Sequence, residues 1–177
     1  MRTARLVVAH TWDGAPVGAD ERASVDLVLG DGVLRVDVEA PWHGDPPPPG
    51  PPGPTPRLWE FEVVELFLLG ADERYLELEL GPHGHQLALQ LRGRRNVEAQ
   101  GLALAYAAAR QGARWRGSAR VPRAWLPPGL GAANAYAIHG RGAGRRHLAA
   151  HPVPGPAPDF HRLDAFEPLG WQGPSED

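Results

Sequence analysis

A chain of 177 residues without a cysteine can bury one sizeable core unaided, and it excludes disulfide scaffolds, thiolate metal sites and cysteine nucleophiles. A formal net charge of −3 excludes a general nucleic-acid binder, and no apolar run approaches the ~18 residues of a membrane span or forms a signal peptide. All 18 basic residues are arginine, which beside abundant Ala, Gly and Pro reads as the codon bias of a GC-rich bacterial genome. The composition predicts a soluble, cytoplasmic, single-domain protein over residues 1–177 with neither nucleic-acid nor membrane partners, and it leaves the oligomeric state open.

In chain order, Arg5 to His10 predicts a short first strand, closed by the turn Trp12-Asp13-Gly14. Val25, Leu27 and Leu29 alternate up to Gly30-Asp31-Gly32, and Leu34, Val36 and Val38 alternate away from it against Arg35, Asp37 and Glu39. That is a hairpin around a Gly-rich turn. Residues 46–56, PPPPGPPGPTP, are poor in backbone donors and favour polyproline II or disorder, so an exposed, inert loop is expected rather than a dock for a proline-recognising partner.

The stretch 58–91 organises the remainder and reads as three strands. Val64, Leu66 and Leu68 share one parity, Leu76, Leu78 and Leu80 repeat it after the turn Gly70-Ala71-Asp72, and Leu87, Leu89 and Leu91 are taken to repeat it again. This parity is expected to be core. The opposite one carries Glu65, Tyr75, Glu77, Glu79, Gln86, Gln90 and Arg92 and predicts a polar surface.

Gly93 to Asn96 is a turn, and Leu102, Leu104 and Tyr106 suggest another strand, although Ala107–Ala109 leave a helix open there. Trp115, Gly117, Ala119 and Val121 alternate with Arg114, Arg116, Ser118 and Arg120, a strand whose arginines are expected to face the glutamate row. Pro122 to Pro127 forms a short corner. Asn134 to His139 is the last clear strand, followed by a Gly/Arg-rich loop over 140–146. Residues 152–177 predict an irregular closing segment anchored by Phe160, Leu163, Phe166 and Trp171. About eight or nine short strands with frequent turns argue for an all-β, antiparallel β-sandwich.

Four segments carry a resemblance: LWEFEVVELFLL (58–69), YLELELGPHGHQLALQLRGRRN (75–96), NAYAIHG (134–140) and HPVPGPAPDFHRL (151–163). They resemble the uncharacterised family of the human chromosome 4 open reading frame 33 product, over most of the chain from residue 58 onward. More remotely, the Val/Glu-rich strand followed by YLELEL and a glycine turn is similar to carbohydrate-binding family 9 and DOMON-like sandwiches. That similarity implies a jelly-roll-like sandwich, with sugar or haem binding as precedents, which fold alone does not transfer.

A sugar site needs exposed aromatic faces for pyranose rings beside carboxylates, amides and arginines for hydroxyls. Trp12, Trp42, Trp59 and Tyr75 could supply the first, with Glu65, Glu77, Gln90, Arg92 and Asn96 as partners. The ordinary alternative is an anchoring tryptophan and surface Glu–Arg pairs worth only ~0.2–1 kcal/mol. Glu65 stands apart. Between Val63 and Phe67 on its own face, it should be partly desolvated with a raised pKa, unless Arg114, Arg116 or Arg120 sits opposite.

His83 and His85 lie two apart, with His139, His147, His151 and His161 further on. Satisfied structural histidines outweigh a metal site here, and His83, His139 and His161, inside the family-like segments, would be the ligands if one existed. No cofactor is expected; haem ranks last, since the lone methionine, Met1, removes Met/His ligation and bis-His ligation would be required. No GxSxG elbow surrounds Ser24, Ser118 or Ser175.

The leading expectation is non-catalytic binding of a carbohydrate or related polar small molecule, with Trp59, Glu65, Tyr75, Glu77, Arg92, Asn96, Asn134, His139, Arg145, Asp159 and His161 as site residues. The alternatives are a metal-dependent or carboxylate-based hydrolase and a protein-interaction module using an open sheet edge.

Overall fold

The computed structural model describes residues 1–173; Ser175, like the last four residues of the expected closing segment, lies outside them. In chain order the described strands are β1 (Arg2–Val8), β2 (His10–Thr11), β3 (Ala23–Leu29), β4 (Val33–Pro41), β5 (Gly53–Pro54), β6 (Val63–Leu69), β7 (Arg74–Leu80), β8 (His85–Arg92), β9 (Val97–Gln100), β10 (Ala105–Gln111), β11 (Arg114–Pro122), β12 (Ala132–His139), β13 (Arg146–Ala149) and β14 (Glu167–Pro168). Five strands form one sheet in the order β1-β3-β4-β11-β10. Nine form the other, in the order β2-β13-β12-β6-β7-β8-β5, with β14 beside β12 and β9 beside β8. Every pairing is antiparallel except β5 with β8. The fold is an antiparallel β-sandwich.

Alternation builds the layer between the sheets. Val25, Leu27, Leu34, Val36, Trp115, Ala119 and Val121 from the first sheet meet Val64, Leu66, Leu68, Leu76, Leu78 and Leu80 from the second. Each fully buried leucine here contributes about 1.5–3 kcal/mol. On β12 the alanines Ala133, Ala135 and Ala137 face this layer, while the bulkier Tyr136 and Ile138 face the other way.

The nine-stranded sheet is buried on both faces. A second apolar layer on its outer side holds Val63, Phe67, Tyr75, Leu87, Leu89, Leu91, Tyr136 and Ile138, covered by Val153, Phe160 and Phe166 of the closing segment. This corrects the expected parity of the third strand. Across β7 and β8, Leu78 lies opposite Ala88, Glu77 opposite Leu89 and Glu79 opposite Leu87, so Leu87, Leu89 and Leu91 share a face with the glutamates. Gln86 and Gln90 take the parity of Ala88, and the Gln90 side chain donates to the carbonyl of Trp125 at 3.1 Å.

Two other expectations change. Arg114 and Arg116 lie on the outer face of the five-stranded sheet, where both bind Glu39, and Arg120 pairs with Arg35 on β4; none faces the glutamate row. Segment 46–56 is mostly exposed, but it also joins the sheet. The Thr55 amide donates to Gln86 O at 2.8 Å and the Gly53 amide to Gly84 O at 3.2 Å, because glycine and threonine restore the donors that the prolines lack. Ala107–Ala109 fall within strand β10 rather than a helix.

Candidate functional site

A cavity of about 730 Å³ opens on the outer face of the nine-stranded sheet, roofed in part by Pro158, Phe160 and His161 of the closing segment. Its volume lies in the range typical of small-molecule sites. Leu89, Leu91, Ile138, Val97 and Phe160 give it apolar walls; Glu65 and Glu77 give it acids; Arg95, Arg145, His147 and Trp59 stand around them. Trp59 is 42% exposed, a rim aromatic rather than a core anchor.

Strand register brings the acids together. Glu65 on β6 lies directly opposite Glu79 on β7, and Glu77 is two residues from Glu79 on the same face. Directly opposed residues have Cβ atoms about 4.5–5.5 Å apart. The three are 2%, 4% and 0% exposed for Glu65, Glu77 and Glu79, and neither Glu79 carboxylate oxygen has a hydrogen-bond partner. Carboxylates this close in a dry environment cannot all ionise. Burial first, and then the Glu77 charge, push Glu65 well above the usual carboxylate range against the opposing pull of Arg145. Burial raises Glu77 to about 7. Glu79 is raised by burial and by both acid neighbours, and the Trp59 amide offsets this only weakly, without closing a hydrogen bond. The group therefore retains protons at neutral pH.

Hydrogen bonds through Tyr75 hold His161 of the closing segment near Glu77. The Arg95 amide donates to the Tyr75 hydroxyl at 3.1 Å, which leaves that hydroxyl to donate to His161 Nδ1 at 2.8 Å. This network assigns the proton of neutral His161 to Nε2, and Nε2 lies 3.9 Å from Glu77 Oε2. Burial, reinforced by the charges of Arg95 and Arg94, lowers His161 to about 4. Asp159 fastens the same segment to the β8–β9 turn, pairing with Arg94 and, at 2.9 Å, with Arg95, and it accepts the His161 amide at 3.2 Å.

Of the expected site residues, Trp59, Glu65, Glu77, Arg145 and His161 line the cavity, while Tyr75 and Asp159 hold its wall. Arg145 donates to the carbonyls of Glu60 at 3.0 Å and Gly140 at 3.4 Å, and to that of Trp59, locking the turn that carries Trp59. Four expected residues are elsewhere. Arg92 and Asn96 are exposed beyond the rim; Arg95, next to Asn96, supplies the lining side chain. Asn134 is fully buried, with its amide bonded to Tyr136 Oη at 2.9 Å and His151 O at 2.8 Å, so it pins the closing segment. His139 has the parity opposite to Ile138, stacks on His43 at 3.5 Å and binds Glu21 at 3.0 Å.

Trp12 and Trp42 pack against the outer and inner layers respectively and do not line the cavity. His83 packs edge-on to Trp42 at 4.9 Å, so His83, His139 and His161 occupy three different environments and do not converge. Among the described residues no group of three or more His, Cys, Asp or Glu is arranged to hold a metal.

The sequence reading gave Arg95 and Ile138 no role in the site, named His147 only among the histidines and Phe160 only as an anchor, and placed Leu89 and Leu91 in the inner core. The signal for Ile138 was the alternation of small and large residues in NAYAI, which puts Asn134, Tyr136 and Ile138 on the outer face, while His139 at the strand's end takes the other.

No protein-family model matches the chain. Curated relatives do. The UPF0462 protein C4orf33 of Homo sapiens is 41% identical over 96% of this chain and 94% of its own length. The UPF0462 protein C4orf33 homologs of Mus musculus and Danio rerio are each 43% identical, over 93% and 90% of this chain and 90% and 85% of their own lengths. These relatives are vertebrate proteins and run against the bacterial origin read from composition. The crystal structure of a "putative carbohydrate-binding protein" from Bacteroides uniformis superposes with a TM-score of 0.67 at 18% identity, over 94% of this chain and 84% of that one. At that identity the likeness shows the fold alone.

Proposed function

Because the chain belongs to the UPF0462 C4orf33 family, its function has to be read from its own cavity, and we propose that this cavity binds a carbohydrate or a related polar small molecule without turning it over. The observation that carries the reading is the combination inside one 730 Å³ space: apolar walls at Leu89, Leu91 and Phe160, a rim tryptophan at Trp59, and buried acids at Glu65 and Glu77. A ring with one apolar face and a hydroxylated edge fits such walls. A protonated carboxyl both donates and accepts, which is what a hydroxyl requires. The name of the Bacteroides uniformis protein adds a precedent for the fold and no residue-level support.

The test is a thermal-shift screen over mono- and oligosaccharides, followed by calorimetry. A saccharide that raises the melting temperature, with the shift reduced by Trp59→Ala and by Glu77→Gln, is the expected result. Absence of any shift across the panel would sink the reading.

A second reading is favoured by one specific observation. Glu77, held near 7 and faced by His161 Nε2 at 3.9 Å, has the properties of a general acid, with Glu65 as the second carboxyl of a hydrolase. Release of reducing ends from a bound oligosaccharide, abolished in Glu77→Gln, would promote this reading over simple binding.

A further inference from the structure

The acids are short of cations. Glu65 faces Tyr136 from β12 and Glu79 from β7; Glu77 lies between Phe67 and Leu89, with His161 above it. The two arginines that line the cavity pull on the acids only at a distance, Arg145 on Glu65 and Arg95 on Glu77, and give their hydrogen bonds to other groups. Arg95 is paired with Asp159, and Arg145 is bonded to the carbonyls of Trp59, Glu60 and Gly140. Glu79, fully buried, lies behind Glu65 and beside Glu77 without lining the cavity itself, so Glu65 and Glu77 are the acids a ligand can reach. Buried carboxyls on a cavity wall without an arginine or lysine partner are a place where a cation from outside the chain can supply the missing pairing.

We infer that the ligand of this cavity carries a cationic group, a protonated amine on a hydroxylated ring, seated against Glu65 and Glu77. The inference rests on the cavity being the saccharide site proposed above and adds the charge of the ligand to it. A bound ammonium supplies N–H donors and the positive charge that the cluster lacks. The protons held by the acids then become unnecessary, and binding releases protons to the solvent. Trp59 and Phe160 add aromatic surfaces that tolerate a cation over the ring face.

The experiment compares glucosamine, galactosamine and mannosamine with their neutral and N-acetylated counterparts by titration calorimetry at pH 7, each run in two buffers of different ionisation enthalpy. At least one amino sugar is expected to bind about tenfold more tightly than both of its counterparts, the equivalent of ~1.4 kcal/mol. Its apparent enthalpy should differ between buffers because protons are released. In Glu77→Gln the preference for the amine should shrink toward unity; if that variant does not fold, Glu65→Gln carries the same comparison.

Neutral sugars binding as tightly as the amino sugars would overturn the cationic ligand and leave the saccharide reading standing. Binding of an amino sugar without proton release would overturn the role given to the acid cluster. Failure of every sugar to bind would overturn both readings together.

Discussion

The outer faces of the two sheets carry the same residue types to opposite effect. On the five-stranded sheet Glu39 sits in water beside Arg114 and Arg116, at 2.8 and 2.9 Å. Slight burial works against its charge, but hydrogen bonds and charge from the arginines prevail and hold its pKa down. On the nine-stranded sheet Glu65, Glu77 and Glu79 lie under the closing segment, where Arg145 and Arg95 pull on Glu65 and Glu77 without pairing with them, and burial drives all three up. A glutamate on a strand becomes a paired surface charge or a proton-holding buried acid according to what covers it.

Three experiments would break or sharpen this contrast. The largest effect concerns pH. Glu77 titrates near 4.5 in the unfolded chain and about 7 in the folded one, so the folded state holds the extra proton between those values. Its contribution is fully present below 4.5 and is lost as pH rises through 7, a change of about 3 kcal/mol at 1.36 kcal/mol per unit. Below about 6.5 the buried histidines act in the opposite sense, since His161 and His43 are lowered to about 4 and charge more readily once unfolded. The acid effect is therefore read as wild type minus Glu77→Gln in chemical denaturation from pH 5 to 8. A flat difference would place Glu77 in water.

Next comes Glu79→Leu. Removing a buried acid whose oxygens lack partners should stabilise the fold at pH 8 by about 1–3 kcal/mol. A loss of similar size would reveal a partner for Glu79 and end the contrast. The smallest effect is expected at Glu39→Gln, below about 1 kcal/mol and fading with added salt. A cost above 2 kcal/mol there would mean that the two faces are not so different after all.

Much of the sandwich was legible in the chain. The hairpin from Val25 to Val38 and the strands around Leu66, Leu78, Trp115 and Tyr136 follow from period-two alternation, which is local. The facing of β8 was not, because alternation separates two parities without saying which is inside. The rule that leucines point inward presumes one buried face, whereas this sheet has two, and Leu87, Leu89 and Leu91 serve the outer one. Glu65 and Glu77 could be picked out as acids among apolar neighbours. That arginines 114, 116 and 120 would face the other way could not, because it depends on which sheet β11 joins, a long-range choice made by its pairing with β4. Likewise, Asn134 and His161 both sit in family-like segments, yet only the path of the closing segment makes one a pin and the other a cavity wall.

The proline-rich segment acquires a different meaning beside β8. A strand at the rim of a sheet offers its free amides and carbonyls to any extended chain that drifts past. On β8 the first half of that rim is taken by Gly53–Pro54 and the second by β9, and His85 adds a contact to the carbonyl of Gly50 at 3.3 Å. Pro54 of β5 and Pro51 and Pro52 before it are exposed and have no N–H to give. The row PPPPGPPGPTP thus closes the first part of the β8 rim with residues poor in the amides that a further strand would need.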